Sequence, residues 1–262
     1  MLKSDSHAAV AGVDAVALKP SEHDLERIPD LEDAVETVVV DYEGREQLPE
    51  FDALAGLAGD RSVRVTAPVR ADGFDPLGDD SLADAIPSEL GRVFVAGHSA
   101  YLSETEGTRA IAPRLGAATA GDADAWVGTE GVERAALATG ATQFELLSRT
   151  TVTDVKSMLA AGFDGDVAVY APTVLSDAED EILDAVGEYT ARRGPVRRAL
   201  PDGAATDGSA EGRAREVLSK AVRDFALVGD RETVSERVQS LREAGVDHVV
   251  AYPAADLGSF LD

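Results

Sequence analysis

The sequence predicts an α/β fold, a (β/α)8 TIM-type barrel of parallel strands, with an open doubly wound sheet as the alternative. Short apolar runs alternate with amphipathic stretches along the whole chain. The runs are apolar on consecutive residues, as in strands buried on both faces of a parallel sheet. About eight strand–helix units fit into the 262 residues, the count and length of a barrel. No GxGxxG follows the first run, which weighs against a dinucleotide-binding open sheet.

The elements follow in order. Val13–Leu18 is the first strand, left through Lys19-Pro20, with Ser21 as cap of a short helix through Leu25 and Ile28. Thr37–Val40 is the second strand, ending in Asp41-Tyr42-Glu43, and Pro49–Leu57 is helical. Val63–Thr66 is the third, followed by a polar loop, Ala67–Asp80, and a helix, Ser81–Leu90. Val93–Ala96 is the fourth, ending in Gly97-His98-Ser99, with a helix over Glu104–Leu115. Ala125–Val127 leads into Gly128-Thr-Glu-Gly131 and the helix Val132–Thr139; Phe144–Leu147 leads into Ser148-Arg149 and the helix Val152–Ala161, closed by Gly162. Val167–Tyr170 is the seventh strand, and Ser176–Arg193 a long helix with Ile182, Val186 and Tyr189 on one face.

A Gly/Pro/Ala/Asp-rich insertion at about 194–210 precedes the helix Glu211–Phe225. The closing unit is the most complete. The run Ala226–Val228 turns at Gly229-Asp230, where Asp230 is an N-cap and Thr233 to Glu236 has the form of a capping box. Val234, Val238, Leu241 and Ala244 form the helix's apolar stripe, Gly245 ends it in the left-handed conformation, and Val246–Tyr252 is a buried strand expected to lie parallel to Ala226–Val228. No composition shift marks a boundary, so residues 1–262 form one domain.

Composition narrows the function classes. With 49 acidic and 24 basic residues the net charge is −25, and Lys3, Lys19, Lys156 and Lys220 are the only lysines. This resembles the cytoplasmic proteins of salt-in halophiles such as haloarchaea, whose carboxylate-rich surfaces stay hydrated at molar salt, where repulsion is screened within roughly 3 Å. Such acidity argues against nucleic acid and anionic membranes as partners and leaves a small-molecule substrate, with a homo-oligomer open. The absence of cysteine excludes disulfides, thiolate metal sites and cysteine catalysis. Residues 1–12 carry no hydrophobic signal core, and no apolar run approaches the roughly 20 residues of a membrane span. A soluble, cytoplasmic protein is expected.

In a barrel, chemistry gathers where strands end. That selects Asp41 and Glu43, Arg70, His98 and Tyr101, Thr129 and Glu130, Arg149, and Tyr170. Gly128-Thr129-Glu130-Gly131 is the candidate anion cradle, a glycine turn into a helix N-terminus; an ordinary turn in which Glu130 complements the dipole is the competing reading. His98 is a candidate general acid/base or a plain loop histidine. Asp41 and Glu43 are candidates to polarise a substrate, or a solvated loop. Arg70 and Arg149 are cations able to hold a phosphate or carboxylate bidentately, or to pair with neighbouring acids. Arg192, Arg193, Arg197 and Arg198 form the one basic cluster, suited to an anionic cofactor tail or a second subunit. His248 reads as structural, and His7 and His23 as surface residues. No ligand set has metal spacing, so no metal site is expected.

Three segments carry a family resemblance. Val169-Tyr-Ala-Pro-Thr-Val-Leu-Ser-Asp177 through Tyr189-Thr-Ala-Arg192 is similar to the strand, acidic turn and long helix of the luciferase-like flavin/F420-dependent oxidoreductases, the group of bacterial luciferase and methylenetetrahydromethanopterin reductase. Leu227 to Val234 through Ala244-Gly-Val-Asp-His-Val-Val250 resembles that family's terminal pattern, and Trp126 to Gly131 through Ala138-Thr-Gly140 resembles its cofactor-phosphate turn. The resemblance implies hydride transfer with F420, or alternatively FMN, to a small organic substrate. It adds weight to Gly128, Thr129, Glu130 and Gly131 as the cofactor turn; strand-end position makes Arg149 a further cofactor candidate, His98, Asp41 and Glu43 the catalytic candidates, and Arg70, Tyr101 and Tyr170 the substrate-binding candidates. Two other functions compete. A non-catalytic barrel for binding or assembly suits the 5% aromatic content and the short segment between the fourth and fifth strands. A lyase or isomerase would use Lys19 as a Schiff base, against its reading as a plain surface lysine.

Overall fold

The computed structural model describes residues 10–31, 35–44, 46–71, 74–75, 80–81, 85–97 and 102–261. The first half contains β1 (Ala15–Leu18), β2 (Thr37–Val40), α1 (Phe51–Leu57), β3 (Ser62–Pro68), the two-residue strands β4 (Phe74–Asp75) and β5 (Asp80–Ser81), β6 (Gly91–Val95), α2 (Glu104–Gly107) and α3 (Ile111–Ala120). β7 (Trp126–Gly128), α4 (Glu133–Leu137), β8 (Thr142–Leu146), α5 (Thr151–Ala160), β9 (Val167–Leu175), α6 (Glu179–Ala191), α7 (Gly194–Ala199), α8 (Gly212–Phe225), β10 (Leu227–Gly229), α9 (Arg231–Ala244), β11 (His248–Pro253) and α10 (Leu257–Leu261) complete it.

Eight strands close a ring in the order β1-β2-β3-β6-β7-β8-β9-β11 and back to β1, each pair parallel. This is the (β/α)8 barrel, and the open sheet is set aside. Alternation along each strand explains the continuous apolar runs. Ala15, Ala17, Val39, Val93, Trp126, Phe144, Ala168, Tyr170, Val250 and Tyr252 fill the lumen. Their neighbours, such as Val16, Leu18, Val38, Val40, Val127, Val167, Val169 and Val249, pack outward against the helices. Small alanines on β1 leave room for the aromatic rings opposite.

In the long closing helix α9 the expected N-cap and apolar stripe form, whereas the capping box expected from Thr233 to Glu236 does not, because the helix starts at Arg231 and Thr233 lies inside it. Asp230 caps it by accepting the Thr233 N–H at 2.7 Å; Val234, Val238, Leu241 and Ala244 are buried. Gly245 ends the helix at φ 102°, and a Cβ there would meet Leu159 Cδ1 at 2.3 Å.

β10 and β11 run parallel in one sheet, as expected, but they are not neighbours. β10 lies beside the far end of β9, Leu227 opposite Thr173 and Gly229 opposite Leu175. The cause is the length of β9, which runs to Leu175 rather than stopping at Tyr170. Residues Val167–Tyr170 pair with β8, and the overshooting end offers the same edge to β10.

On that overshoot stands a helical satellite with its own core, in which Val174, Ile182, Leu183, Val186, Val196, Leu218, Val222 and Val228 come together from β9, α6, α7, α8 and β10. Gly187 is required where α6 meets the loop before α8, since a Cβ would sit 2.1 Å from the Thr206 carbonyl oxygen. The insertion expected at 194–210 is a loop only in part, because Pro195 starts α7 within its first turn.

Smaller corrections follow the same local logic. Asp24, not Ser21, caps the first short helix, a 3₁₀ segment over Leu25–Asp30. The helix expected over Glu104–Leu115 breaks into α2 and α3, and α2 is held by a capping box between Ser103 and Glu106. In the helix expected over Ser81–Leu90, Ser81 belongs to β5 and Ile86–Leu90 is non-helical; residues 82–84 lie outside the described residues. Among the described residues no helix is long and apolar enough to cross a membrane.

Candidate functional site

The barrel's carboxyl-end mouth is built by continuing the inward register of each strand. On β1 the inward series Ala15, Ala17 continues to Lys19; on β2, Val39 continues to Asp41. Tyr170 of β9 and Tyr252 of β11 close the opposite wall, their rings stacked at 5.8 Å and 23°. Lys19 Nζ lies 3.0 Å from Glu22 Oε1 and 4.7 Å from the centre of the Tyr252 ring. The Tyr252 hydroxyl donates to the other Glu22 oxygen. Those bonds from Tyr252 and Lys19 outweigh the burial of Glu22 and hold its carboxyl below the usual range. Burial, and then the Glu22 carboxylate, push the Tyr252 phenol upward.

Asp41 is the unusual group. Its backbone N–H donates to Leu18 in the sheet ladder, but its carboxylate has no hydrogen-bond donor among the described residues. Burial pushes its pKa up to about 7; Lys19 pulls it down, and Glu43 and Glu22 push it further up. The Tyr170 phenol is raised by burial and then by Asp41, Tyr189 and Tyr252.

Other expected site residues have different jobs. Glu43 accepts both the N–H and the hydroxyl of Ser21 at 2.9 Å, so its carboxylate ties down the loop after β1 rather than standing free for catalysis. Arg70 donates to the carbonyls of Ala96 (2.6 Å), Gly97 (2.7 Å) and Gly107 (2.9 Å), clamping the chain that leaves β6. Three of its five N–H groups are thus committed to backbone, which gives Arg70 a structural job beside the expected substrate contact. Gly128 ends β7, and Thr129 is buried with its N–H on the Phe144 carbonyl at 3.1 Å. Gly131 N–H reaches the Glu133 carboxylate at 3.2 Å, and Glu130 pairs with Arg193 at 3.1 Å. The turn is thus already occupied by the chain's own acids, and α4 behind it has only five residues. Arg149 is exposed at the end of β8, with no ion pair among the described residues. His98 and Tyr101 lie outside the described residues.

The structure adds residues that the sequence reads as surface or does not place at the mouth. Lys19, weighed above as a Schiff-base candidate or a plain surface lysine, is an inward mouth residue. His23 is buried, not a surface residue: its Nδ1 accepts the Lys19 N–H at 3.0 Å, which leaves Nε2–H to donate to the Pro253 carbonyl at 3.0 Å. It also meets Tyr252 edge-on at 5.3 Å and so fixes that ring. From above, the satellite supplies Tyr189 and Arg193, with the Arg193 guanidinium 4.3 Å over the Tyr189 ring. Inward parity was a usable signal for Lys19 and Tyr252; nothing in the sequence places a helix end over the mouth. A separate groove of about 370 Å³, lined by Ala226, Val228, Thr233 and Arg237 among others, lies between α8 and α9 and includes none of these residues. Among the described residues no group of three or more His, Asp or Glu side chains is arranged to hold a metal ion.

A closed parallel barrel with its titratable cluster at the carboxyl ends of the strands is the architecture of barrel enzymes. The chain belongs to a family of unknown function, DUF7388, whose model matches residues 8–260. No curated protein matches it in sequence. Solved structures share its fold. The coenzyme F420-dependent tetrahydromethanopterin reductase from Methanopyrus kandleri aligns with a TM-score of 0.63 at 14% identity, over 95% of each chain. An F420-dependent secondary alcohol dehydrogenase, in complex with an F420–acetone adduct, aligns at 0.60 and 10%, again over 95% of each. Apo-MsnO8 aligns at 0.56 and 15%, with the same coverage.

Proposed function

We propose that the chain is a luciferase-like oxidoreductase that moves hydride between F420 and a small organic molecule, with Asp41 as the acid/base. The observation that carries this reading is Asp41 itself: an inward carboxylate at the mouth, without a hydrogen-bond donor and with a pKa near 7. A carboxyl raised this far by burial can take up and release a proton near neutral pH, which suits it to acid/base work. The fold neighbours that use F420 support the choice of cofactor at the level of architecture.

The residues present fit an anionic cofactor. F420 and FMN both carry phosphate, and the mouth's rim offers Arg149 and the Tyr189–Arg193 pair, cations and donors in a chain of net charge −25. When bound, the deazaflavin supplies the hydride chemistry. The chain does the rest. Stacked Tyr170 and Tyr252 form an apolar wall that excludes water, and Asp41 Oδ holds or releases the proton at the substrate. Lys19, kept beside Asp41 by Glu22 and Tyr252, balances the charge when the carboxylate is ionised. With its ammonium on Glu22 and over an aromatic ring, Lys19 is placed as a counter-charge rather than as the nucleophile of a Schiff base.

The test is a fluorescence titration with F420 and, separately, FMN in molar KCl, where the acidic surface is screened. Saturable binding of F420 is expected, with FMN weaker. Binding of neither by a protein whose circular dichroism is that of an intact α/β fold would overturn the reading.

A further inference from the structure

Three buried polar atoms on the satellite have no hydrogen-bond partner among the described residues, Thr190 Oγ1, the Tyr189 hydroxyl and Arg193 Nε, and the last two belong to neighbouring side chains. Tyr189 lies in the last turn of α6, and Arg193 lies just past its end as the N-cap of α7, with its guanidinium 4.3 Å over the Tyr189 ring. Buried donors are paired as a rule, so two orphans side by side mark a place where something else supplies the acceptors. Both groups can donate, and one carries a fixed positive charge. The acceptor they suit is therefore an anion with at least two oxygens, a carboxylate or a phosphate.

The chain has put one of its own acids in that position. Arg193 Nη1 meets Glu130 Oε1 at 3.1 Å, bridging the satellite to the end of β7. The two sides of the bridge are unequal: the Arg193 side chain is 19% exposed, the Glu130 side chain 66%. Arg193 is fixed between the Tyr189 ring and the Phe225 ring, 4.3 Å and 6.0 Å away. Glu130 is held from one side only, and a carboxylate so exposed gains little from its pair. It also leaves Nε and the tyrosine hydroxyl unserved.

We propose that Arg193 and Tyr189 form a subsite for the anionic group of a ligand seated in the barrel mouth, and that Glu130 is an internal stand-in which this ligand displaces. Burial keeps the Tyr189 phenol protonated, so it stays a donor across the neutral range. The subsite deepens the reading of the mouth as a ligand site but does not require the ligand to be F420. Its selectivity follows from Glu130: a neutral ligand gains nothing by displacing it, whereas a phosphate or carboxylate replaces one acceptor with several.

The experiment uses inorganic pyrophosphate and succinate as probes, by calorimetry in molar KCl, on the full chain and three variants. Pyrophosphate, succinate or both are expected to bind saturably, the stronger one naming the anion class. Arg193→Met should lose binding by at least about tenfold and Tyr189→Phe by a few fold, while Glu130→Gln, which removes the competitor, should tighten it by up to about tenfold. Glu130→Gln keeps the test sound should Arg193→Met disturb the satellite, because an increase in affinity cannot come from misfolding. No anion binding by the wild type, or no change in Glu130→Gln, overturns the proposal. F420 and FMN titrations on the same proteins separate the two readings. Pyrophosphate bound as expected while neither cofactor binds leaves the subsite standing and the oxidoreductase reading lost. F420 bound equally well by wild type, Arg193→Met and Tyr189→Phe leaves the oxidoreductase standing and the subsite lost.

Discussion

The two ends of the barrel lumen carry similar residues in opposite conditions. At the amino-end floor, Asp14 accepts the Val249 N–H at 2.9 Å, the His248 Nδ1–H at 3.0 Å, and an ion pair from Arg242. His248 stacks on Trp126 at 5.1 Å, and Arg64 covers the same indole at 4.5 Å. At the mouth, Asp41 has the nearby charge of Lys19 and no donor among the described residues. Burial works against ionisation of both carboxylates. At the floor three donors outweigh it and hold Asp14 below the usual range, and at the mouth nothing does. A row of rings, Trp126, Phe144, Tyr170 and Tyr252, fills the space between. The floor is a completed network that closes the barrel. The mouth is a network that leaves one carboxylate without a donor among the described residues, the feature on which the proposed acid/base role rests.

The strongest way to break this comparison is Asp41→Asn. Turnover should fall by about 10²-fold or more if Asp41 is the acid/base, while F420 binding, read by fluorescence, persists. Stability should move the other way. Asp41 has its pKa raised from 3.8 unfolded to about 7 folded. The fold therefore favours its protonated form, and that contribution is fully present below about pH 4 and lost as pH rises through about 7. Above pH 7 the wild type keeps a buried charge that the amide lacks, so Asp41→Asn should be about 2–4 kcal/mol more stable at pH 8 by denaturant unfolding. A variant equally active, or less stable at pH 8, would make Asp41 an ordinary structural carboxylate.

Asp14→Asn tests the other end. It removes the acceptor shared by Arg242, His248 and Val249, at a cost of about 2–4 kcal/mol, measured by urea unfolding at neutral pH. Turnover per folded molecule should not change. The pH signature is also reversed. Asp14 is depressed in the fold, so its contribution is present above the ordinary carboxylate range and lost as pH falls through its folded value. The acid limb of the stability profile should flatten in Asp14→Asn, and the neutral limb in Asp41→Asn.

The contrast also explains what the sequence could tell. The barrel is legible because each strand is an apolar run with its own turn, and the run itself records burial on two faces. Leu227-Val228-Gly229 satisfies the same criterion yet stays outside the ring, since a three-residue run does not say which edge it joins. Strand ends singled out Asp41 and Tyr170, and both lie at the mouth. Strand-end position could not tell Asp41, free at the mouth, from Glu43 two residues on, which Ser21 ties down. That difference depends on a loop 22 residues away in sequence. His23, Tyr189 and Arg193 were harder still, because a histidine is buried, or a helix end brought over the mouth, only by tertiary packing. At the floor, His248 read correctly as structural, being flanked by strand residues, but its partner Asp14 comes from the far end of the chain.

The smallest expected effect is the most specific. Lys19 lowers the Asp41 pKa, and it also neutralises Glu22, whose charge raises it. Lys19→Met removes both influences with the same sign. The Asp41 carboxyl should then titrate higher than in the wild type, by about one unit or less given that the Lys19–Glu22 pair is partly exposed to water. Carbon-13 NMR of aspartate-labelled protein reads this shift directly, without a substrate. The same change at the floor, Arg242→Met, should raise Asp14 much less, because His248 and the Val249 N–H still serve its carboxylate. Equal shifts at the two ends would mean that burial and bulk charge alone set both carboxylates. The distinction between a completed floor and an unfinished mouth would then have no electrostatic basis.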